Sequence, residues 1–444
     1  MAEKNEIRVY ELDSKPPLLE TLPLSLQHIL LFLASTIAIP IIIGSALSFS
    51  GEDIALLIQC GIFTAGVSTV VQAFGLGPVG NRLPIIMGAT FLFTAPTIAI
   101  GLTYGYDHVV GAIIVGGVAA GLVGVFFIHQ IRKLFPPSVI GPCIMVIGLS
   151  LCGVGIDYCA GGIGSPNYGS WQNFLVAAIT VILIVAFNTY GRGFVKCASV
   201  LIATLVAVVI SFFFGMIDFS PLFTAPWAAL PAPLHFGVSF HLPTILIIFI
   251  LYLINMIEFI GDTSTVALLA ADREPTEKEL GRGILCDGFG SAFAGLFNAP
   301  PNISYSGNIG LIGLTKVKSR YVVGVAGIIL IFLGFCPKLS TFLSLVPAPV
   351  IGGSSLVIFG LIATAGLRIM INAKLTDRDM MVIAISFGVG LGFNYTPDSL
   401  TAYPFFISAL LKGVPGTALT AITLNLLLPR SKPDPMEQSN DFDR

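Results

Sequence analysis

Two acidic residues lie near the centre of one long apolar stretch. The run PTILIIFILYLINMIEFIGDTSTVALLA covers residues 243–270 and contains Glu258 and Asp262. Positions i and i+4 share one face of a helix, so the two carboxylates are on the same side. Carboxylates accept strong hydrogen bonds from N–H donors, and two neighbouring carboxylates can share a proton. The pair could therefore bind the N–H edge of a flat heterocycle and also take up and release a proton.

The composition places this stretch in a membrane. Of the 444 residues, 55% are hydrophobic and 10% are charged, whereas a soluble domain has about 25% charged residues. An ionised acid in the middle of a bilayer costs at least about 2.5–3.5 kcal/mol, so these acids must face the protein interior. Asp287, in GRGILCDGFGSAF, is a third acid of this kind.

The remaining composition narrows the function class. The net charge of −2 gives no indication of a nucleic-acid partner. No nucleophile–base motif and no cluster with metal-ligand spacing stands out, so we expect neither an enzyme nor a metal site. We expect no cofactor either.

We predict fourteen membrane-spanning segments, because a span needs about 20 apolar residues, or fewer where a helix is broken. An even number places both termini on one side. Their ranges are 22–48, 53–76, 83–102, 108–131, 137–155, 172–189, 197–217, 243–270, 281–298, 302–315, 320–344, 347–367, 379–395 and 403–428.

The basic residues of the loops predict the orientation. If the N-terminus is inside, the inside loops contain fourteen Lys and Arg and the outside loops contain only Lys338 and Lys412. Cytoplasmic loops carry the excess of Lys and Arg. Both termini are therefore predicted to be cytoplasmic, in a multi-pass protein of the cell membrane. The inside residues are Arg82, Arg132, Lys133, Arg192, Lys196, Arg273, Lys278, Arg282, Lys316, Lys318, Arg320, Arg368, Lys374 and Arg378.

Two predicted spans are interrupted at matching positions of two seven-span halves. The third, RLPIIMGATFLFTAPTIAIG, contains Gly88 and Pro96, and the tenth, NAPPNISYSGNIGLIGLT, opens with Pro300 and Pro301. Short segments interrupted by Gly and Pro in corresponding positions indicate an inverted-repeat transporter with a site at the repeat interface. Unwound backbone in a membrane must be satisfied by protein or by a water-lined cavity.

Five motifs follow one another along the chain: Gln27–His28 in LPLSLQHILLF, RLPIIMGATFLFTAP, IEFIGDT, CDGFGSAFAGLFNAPPN and GNIGLIGLTKVKSR. In this order they resemble the nucleobase–ascorbate transporter family over essentially the whole chain, and its xanthine and urate permease branch in particular. The last motif fits the family signature at Asn308, Gly310, Thr315 and Lys316 but departs from it at Gly307, where the family has Gln, Glu or Pro.

The resemblance implies an all-α integral membrane fold of fourteen spans in two inverted repeats, with short half-strands in spans three and ten. It also implies a core domain, a gate domain and a homodimer. The expected divisions are a cytoplasmic N-terminal tail at 1–21, core halves at 22–131 and 243–344, gate halves at 132–242 and 345–429, and a cytoplasmic tail at 430–444.

The resemblance also implies residue roles. Substrate would be bound by Glu258, by Phe91 on the short strand of span three, and by Gly307 and Asn308. The proton-coupling residues would be Asp262, Asp287 and His28. The implied function is import of a purine base such as xanthine or urate, driven by protons, with sodium as the alternative.

The departure at Gly307 keeps other substrates open. Glycine offers only its backbone N–H, so the pocket is expected to be roomier here, unless the glycine is present because the turn needs φ > 0. Uracil carriers would have His at Asp262 and Glu at Gly307, which counts against uracil. Ascorbate or a related heterocycle remains open, and so does anion exchange of the sulfate-transporter type, which shares this architecture.

Overall fold

The computed structural model describes residues 10–429, except for the side chains of 34–35, 128–133 and 397. Both predicted tails therefore lie partly or wholly outside the described residues. Within them the chain is helical, with one two-stranded sheet. The helices are α1 (Leu18–Thr36), α2 (Ala38–Ala46), α3 (Gly51–Phe74), α4 (Thr94–Tyr104), α5 (Tyr106–Leu134), α6 (Pro137–Cys159), α7 (Trp171–Tyr190), α8 (Phe194–Cys197), α9 (Ser199–Phe213), α10 (Ser220–Thr224), α11 (Leu242–Ala271), α12 (Glu277–Leu296), α13 (Gly307–Thr315), α14 (Arg320–Gly334), α15 (Pro337–Ser344), α16 (Ala348–Ile371), α17 (Asp377–Tyr395), α18 (Phe405–Leu411) and α19 (Gly413–Leu427). The strands are β1 (Met87–Ala89) and β2 (Asn302–Ser304), and 3₁₀ helices cover Phe91–Phe93 and Pro397–Leu400.

The long apolar helices make this a multi-pass membrane protein. Among the described residues, seven helices are long and apolar enough to cross a membrane, or nine if each of two bent pairs counts as one span. The bent pairs are α14 with α15, at 88°, and α18 with α19, at 72°. Fewer helices than the fourteen predicted spans therefore qualify as uninterrupted apolar helices. The reason is that several predicted apolar segments contain a break in the helix.

The two predicted interruptions are confirmed. β1 lies in the third predicted span and β2 in the tenth, and they pair antiparallel with Met87 opposite Ser304 and Ala89 opposite Asn302. The Thr69 hydroxyl accepts a hydrogen bond from the N–H of Met87 at 2.9 Å, which satisfies one edge of this short sheet. Strands this short need such support, because buried backbone groups must be paired.

The chain divides into two compact units. In the described range, the first contains residues 10–128 and 151–360, and the second contains 129–150 and 361–429. The sheet and every predicted site residue belong to the first unit. In the second unit α17 and α19 pack closely, since a Cβ added to Gly390 would collide with Thr417.

Close backbone contacts position the helices of the first unit around the sheet. A Cβ added to Gly288 of α12 would lie 2.5 Å from the carbonyl oxygen of Gly117 on α5. Small residues at such crossings let helix backbones approach in membranes. Similarly, the ring of Phe32 on α1 occupies the space that a side chain at Gly88 of β1 would need.

The first described residues run beside the loop that precedes α14. The N–H groups of Lys318 and Arg320 donate to the carbonyls of Tyr10 and Leu12 at 2.9 and 3.0 Å. The Arg320 guanidinium pairs with Asp13 at 2.6 Å. The segment before α1 is therefore tied to the end of the loop between α13 and α14.

Candidate functional site

The sheet separates two half-helices that begin next to it. β1 leads through the 3₁₀ turn at Phe91–Phe93 into α4, and β2 leads into α13. Because the strands are antiparallel, the two helices begin at opposite ends of the sheet. Each N-terminus presents backbone N–H groups without an intrahelical partner and the positive end of a helix dipole. Such broken helices favour a polar or anionic ligand between them.

The acid pair of α11 faces the segment between β2 and α13. Asp262 Oδ2 accepts hydrogen bonds from the hydroxyls of Ser304, at 2.9 Å, and Ser306, at 2.8 Å. Glu258 Oε1 lies 3.3 Å from the same Ser306 hydroxyl. The two carboxylates therefore share one donor, as their i, i+4 spacing allows. The prediction that both acids face the protein interior is confirmed.

The number of protons in this cluster matters for its chemistry. A serine hydroxyl has one proton to donate, yet two carboxylate oxygens lie within reach of Ser306. With both acids ionised, only one can be satisfied by Ser306. With one acid protonated, that acid can donate to the Ser306 oxygen while Ser306 donates to the other. Because the Ser304 hydroxyl also donates to Asp262, each acid can have a donor when both are ionised, and the same groups can also hold one extra proton between them.

Asp287 lies on α12 and is bonded to Asn255 rather than to the Ser306 hydroxyl. It is 4% exposed on α12, and its Oδ2 accepts a hydrogen bond from Asn255 Nδ2 at 3.0 Å. Asn255 precedes Glu258 by three residues on α11, and Ser291 of α12 donates to the carbonyl of Asn302 in β2 at 2.8 Å. Asp287 is therefore linked to the same helix and strand as the acid pair.

Phe91 does not lie on the strand, contrary to the sequence prediction. It starts the 3₁₀ turn after β1 because Thr90, in extended conformation, caps the N–H of Leu92 at 3.3 Å. The Phe91 side chain is 5% exposed. Its ring meets that of Phe359 on α16 edge to face, with centroids 5.0 Å apart. An aromatic partner thus already covers Phe91.

Gly307 begins α13, and both sequence-based accounts of it need correction. Its φ is not positive, so the turn does not require glycine for conformational reasons. The expected extra room is absent, since an added Cβ would lie 2.6 Å from both Cζ and Oη of Tyr305. The Tyr305 ring fills that space and packs edge-on against the ring of Phe32, with the ring centroids 5.9 Å apart.

Asn308 and His28 are buried polar residues close to this region. Both are 2% exposed. Neither amide atom of Asn308 has a hydrogen-bond partner among the described residues, and the same holds for His28 Nδ1. Buried polar groups are normally satisfied, so a ligand or water is the expected partner of Asn308. No hydrogen bond among the described residues joins His28 to the three acids.

Three residues of this site were not predicted from the sequence: Ser304, Ser306 and Phe359. Ser304, Tyr305 and Ser306 form the triplet SYS directly before the half-helix, and the serines hold the acids while Tyr305 packs over Gly307. Alternation across an extended segment was the available signal, because residues i and i+2 lie on one side of a strand. No sequence pattern indicated that Phe359 would contact this region.

Buried acids facing two broken half-helices within an apolar bundle define a class of membrane transporter. The chain belongs to the nucleobase–ascorbate transporter family, since residues 19–399 match the model described as "Permease family". It is therefore a transporter rather than an enzyme.

Relatives support the same assignment. The chain is 37% identical to a putative purine permease of Clostridium perfringens over 441 residues, which cover 98% of this chain and 96% of the relative. It is 32% identical to the xanthine permease of Bacillus subtilis over 427 residues, covering 95% and 97%. It is 35% identical to the uric acid permease PucJ of Bacillus subtilis over 411 residues, covering 91% of each.

Solved structures share the fold at low sequence identity. The transmembrane domain of the cyanobacterium bicarbonate transporter BicA matches with a TM-score of 0.62 at 14% identity, covering 94% of this chain and 100% of that chain. The murine anion transporter Slc26a9, in the inward-facing state, matches with a TM-score of 0.67 at 12% identity, covering 94% and 69%. The fold is thus common to transporters of different cargo.

Proposed function

We propose that this protein imports a purine base of the xanthine or urate class across the cell membrane by proton symport. The observation that carries the proposal is the Glu258–Ser306–Asp262 cluster, in which two acids on an apolar helix share one hydroxyl. Relatives named as purine, xanthine and uric acid permeases support the substrate class.

Glu258 is the proposed anchor of the base. Xanthine and urate present N–H groups along one edge, and a carboxylate accepts from such groups with charge-assisted hydrogen bonds. The unpartnered amide of Asn308 offers one acceptor and two donors. The N–H of Gly307, in the first turn of α13, is a further donor.

Phe91 is the proposed stacking surface. The contact with Phe359 covers its ring, so a base could stack on Phe91 only after Phe359 withdraws. Phe359 belongs to α16, within the predicted gate half 345–429. The proposed role of Phe359 is to occupy the aromatic site when substrate is absent.

Asp262 and Asp287 are the proposed proton-coupling residues, with His28 in support. The acid pair can hold one extra proton, and taking it up would change which groups Ser306 donates to and accepts from, beside the proposed substrate site. Asp287 would act through Asn255 and β2, to which its helix is bonded. A proton gradient would then drive uptake, with sodium as the alternative ion.

We further propose the fourteen-span, inverted-repeat architecture with core and gate domains, as a homodimer with both termini in the cytoplasm. The seven long apolar helices, the two bent pairs and the two shorter apolar helices account for eleven of the predicted segments. The helices α12, α13 and α17 correspond to the other three. Pairing between β1 and β2 supports the symmetry, since it joins the third segments of the two halves.

The same residues disfavour the other candidate substrates. Uracil is disfavoured because Asp262 and Gly307 stand where uracil carriers would have His and Glu. Ascorbate lacks the N–H edge that Glu258 would bind. Sulfate-type anion exchange fits poorly with two acids in the site, although the fold is shared with anion transporters.

Binding measurements on purified protein test the proposal. Wild-type protein is expected to bind xanthine and urate but not uracil or ascorbate. Glu258→Gln should weaken binding by about ten- to hundredfold, because a hydrogen bond to a charged group contributes about 1.5–3 kcal/mol. Glu274→Gln, at an exposed acid in a loop, is the matched control and should bind normally. Equal affinity of Glu258→Gln and wild type would contradict the proposal.

A further inference from the structure

A polar cavity lies at the end of the first unit that the loop charges predict to be cytoplasmic. It has a volume of about 280 Å³. The loop before β1, the start of α12, the start of α14 and the segment before α1 form its walls. The lining residues are Leu12, Asp13, Asn81, Arg82, Arg273, Thr276, Lys278, Glu279, Arg282 and Arg320.

The cavity has more positive than negative charge. Five of its side chains are cationic and two are anionic. Both acids already form ion pairs: Asp13 with Arg320 at 2.6 Å, and Glu279 with Arg273 at 2.6 Å. Within residues 10–429, Arg82, Lys278 and Arg282 form no ion pair. Three uncompensated cations therefore border one small cavity.

Two features of the cavity wall point to a ligand beyond this charge. Asn81 is 2% exposed and lines the cavity. Its Oδ1 accepts from the N–H of Leu83 at 3.0 Å, while its Nδ2 donor has no partner among the described residues. An unpaired buried donor carries a free-energy cost that a bound acceptor would remove.

The backbone also holds Arg82 in a conformation that arginine rarely adopts. Its φ is +62°, a left-handed conformation that is uncommon for residues other than glycine. Two backbone hydrogen bonds fix the turn. The N–H of Arg82 donates to the carbonyl of Gln72, and the N–H of Gly80 donates to the carbonyl of Arg282. Strain of this kind persists where the surroundings impose it and is frequent at binding sites.

We propose that this cavity binds a phosphate-bearing anion. Phosphate oxygens are acceptors that suit Arg and Lys donors together with the Asn81 amide. The N-terminus of α12, a helix of 20 residues capped by Thr276, adds the positive end of its dipole. The phosphate group could belong to a soluble metabolite or to the headgroup of an anionic lipid.

The position of the cavity connects it to the substrate site. Asn81 and Arg82 immediately precede the segment that leads into β1, and α12 carries Asp287 five residues after Arg282. A bound anion would hold the loop before β1 against α12. Binding at this cavity does not depend on which base is transported, so it can fail or succeed independently of the proposed function.

Calorimetric titration of the purified full chain with inorganic phosphate tests a soluble ligand. Wild type should bind, and the double variant Lys278→Gln/Arg282→Gln should bind at least about tenfold more weakly, because each hydrogen bond from a cation is of the strong kind. The matched control Lys374→Gln removes an exposed cation that is also predicted to be cytoplasmic and should bind like wild type.

The lipid arm uses the same variants in nanodiscs. The midpoint of thermal unfolding is compared in phosphatidylcholine alone and in phosphatidylcholine with phosphatidylglycerol. A stabilisation by phosphatidylglycerol in wild type and Lys374→Gln, but not in the double variant, assigns the site to a lipid headgroup. If wild type and the double variant differ only in the titration with inorganic phosphate, the site is assigned to a soluble anion. If neither probe distinguishes the double variant from wild type, the proposal is wrong.

Discussion

Position 307 has no side chain, and the ring of a neighbouring residue occupies the space beside it. Gly307 departs from the family signature, and the Tyr305 ring lies in the space where its side chain would be. The tyrosine therefore limits the space at this position of the proposed substrate site. Specificity at this position should depend on both residues together.

We expect Gly307→Ala to reduce uptake by about tenfold, because an added methyl 2.6 Å from the tyrosine ring forces repacking that costs about 1–3 kcal/mol. Adding Gly307→Ala to Tyr305→Leu should cost nothing further. Uptake and affinity of the two single variants and the double variant give the coupling between the sites.

Tyr305→Phe is the matched control for this pair. It keeps the Cζ and Cε1 atoms that lie 2.6 and 2.7 Å from the added Cβ, so it should not rescue Gly307→Ala. If Gly307→Ala is as active as wild type, the ring does not constrain position 307.

At the scale of elements, α12 extends from the cationic cavity to Asp287. Its start is fixed by a capping box, in which Thr276 accepts from the N–H of Glu279 while the Glu279 carboxylate accepts from the N–H of Thr276. The hydrogen bond from Arg273 lowers the pKa of Glu279 to about 2. This contact therefore stabilises the fold fully above the usual pKa of a glutamate. Its contribution declines as the pH falls below that value and is lost as the pH falls through about 2.

The crossing of α12 with α5 should be intolerant of any side chain. We expect Gly288→Ala to lower the thermal unfolding midpoint and to impair transport, since its Cβ would lie 2.5 Å from the Gly117 carbonyl oxygen and the helix next to Asp287 must shift. Overpacking of this kind costs about 1–3 kcal/mol.

Gly281→Ala on the same helix is the control, because no atom lies within 4 Å of its added Cβ. It should be neutral or stabilising by up to about 1 kcal/mol, as alanine favours helix. Similar midpoints for the two variants would show that the crossing is not tight.

At the scale of the whole molecule, coupling decides whether the substrate accumulates. We expect a protonophore to abolish accumulation by wild type, and Asp262→Asn to lose uptake against a gradient, because the acid pair can then no longer take up and release its proton. Radiolabelled xanthine uptake in a carrier-deficient host measures both. Uptake that follows sodium at fixed pH and ignores the protonophore would contradict proton coupling.

The predicted orientation can be measured in intact cells. Asn167→Cys lies in the exposed loop after α6, and Lys374→Cys in the loop between α16 and α17. A membrane-impermeant maleimide should label Asn167→Cys from outside and Lys374→Cys only after permeabilisation, since the basic loops are predicted to be inside. The reverse pattern would invert the topology.

The sequence by itself determined the membrane class, the family and the pair of acids that face the interior. Composition excludes a water-covered surface, i, i+4 spacing places Glu258 and Asp262 on one face, and Gly and Pro mark the two breaks where β1 and β2 form. These features are local, so they can be read along the chain.

Only the tertiary structure decided which groups meet these residues. Ser306 joins the two acids and Phe359 covers Phe91 across large separations in sequence. Tyr305 is only two residues from Gly307, but the direction of its ring into the space at Gly307 was also decided by the fold. The cationic cavity likewise brings together four segments distant in sequence. Such contacts depend on how helices and strands pack, and neither hydropathy nor residue spacing contains that information.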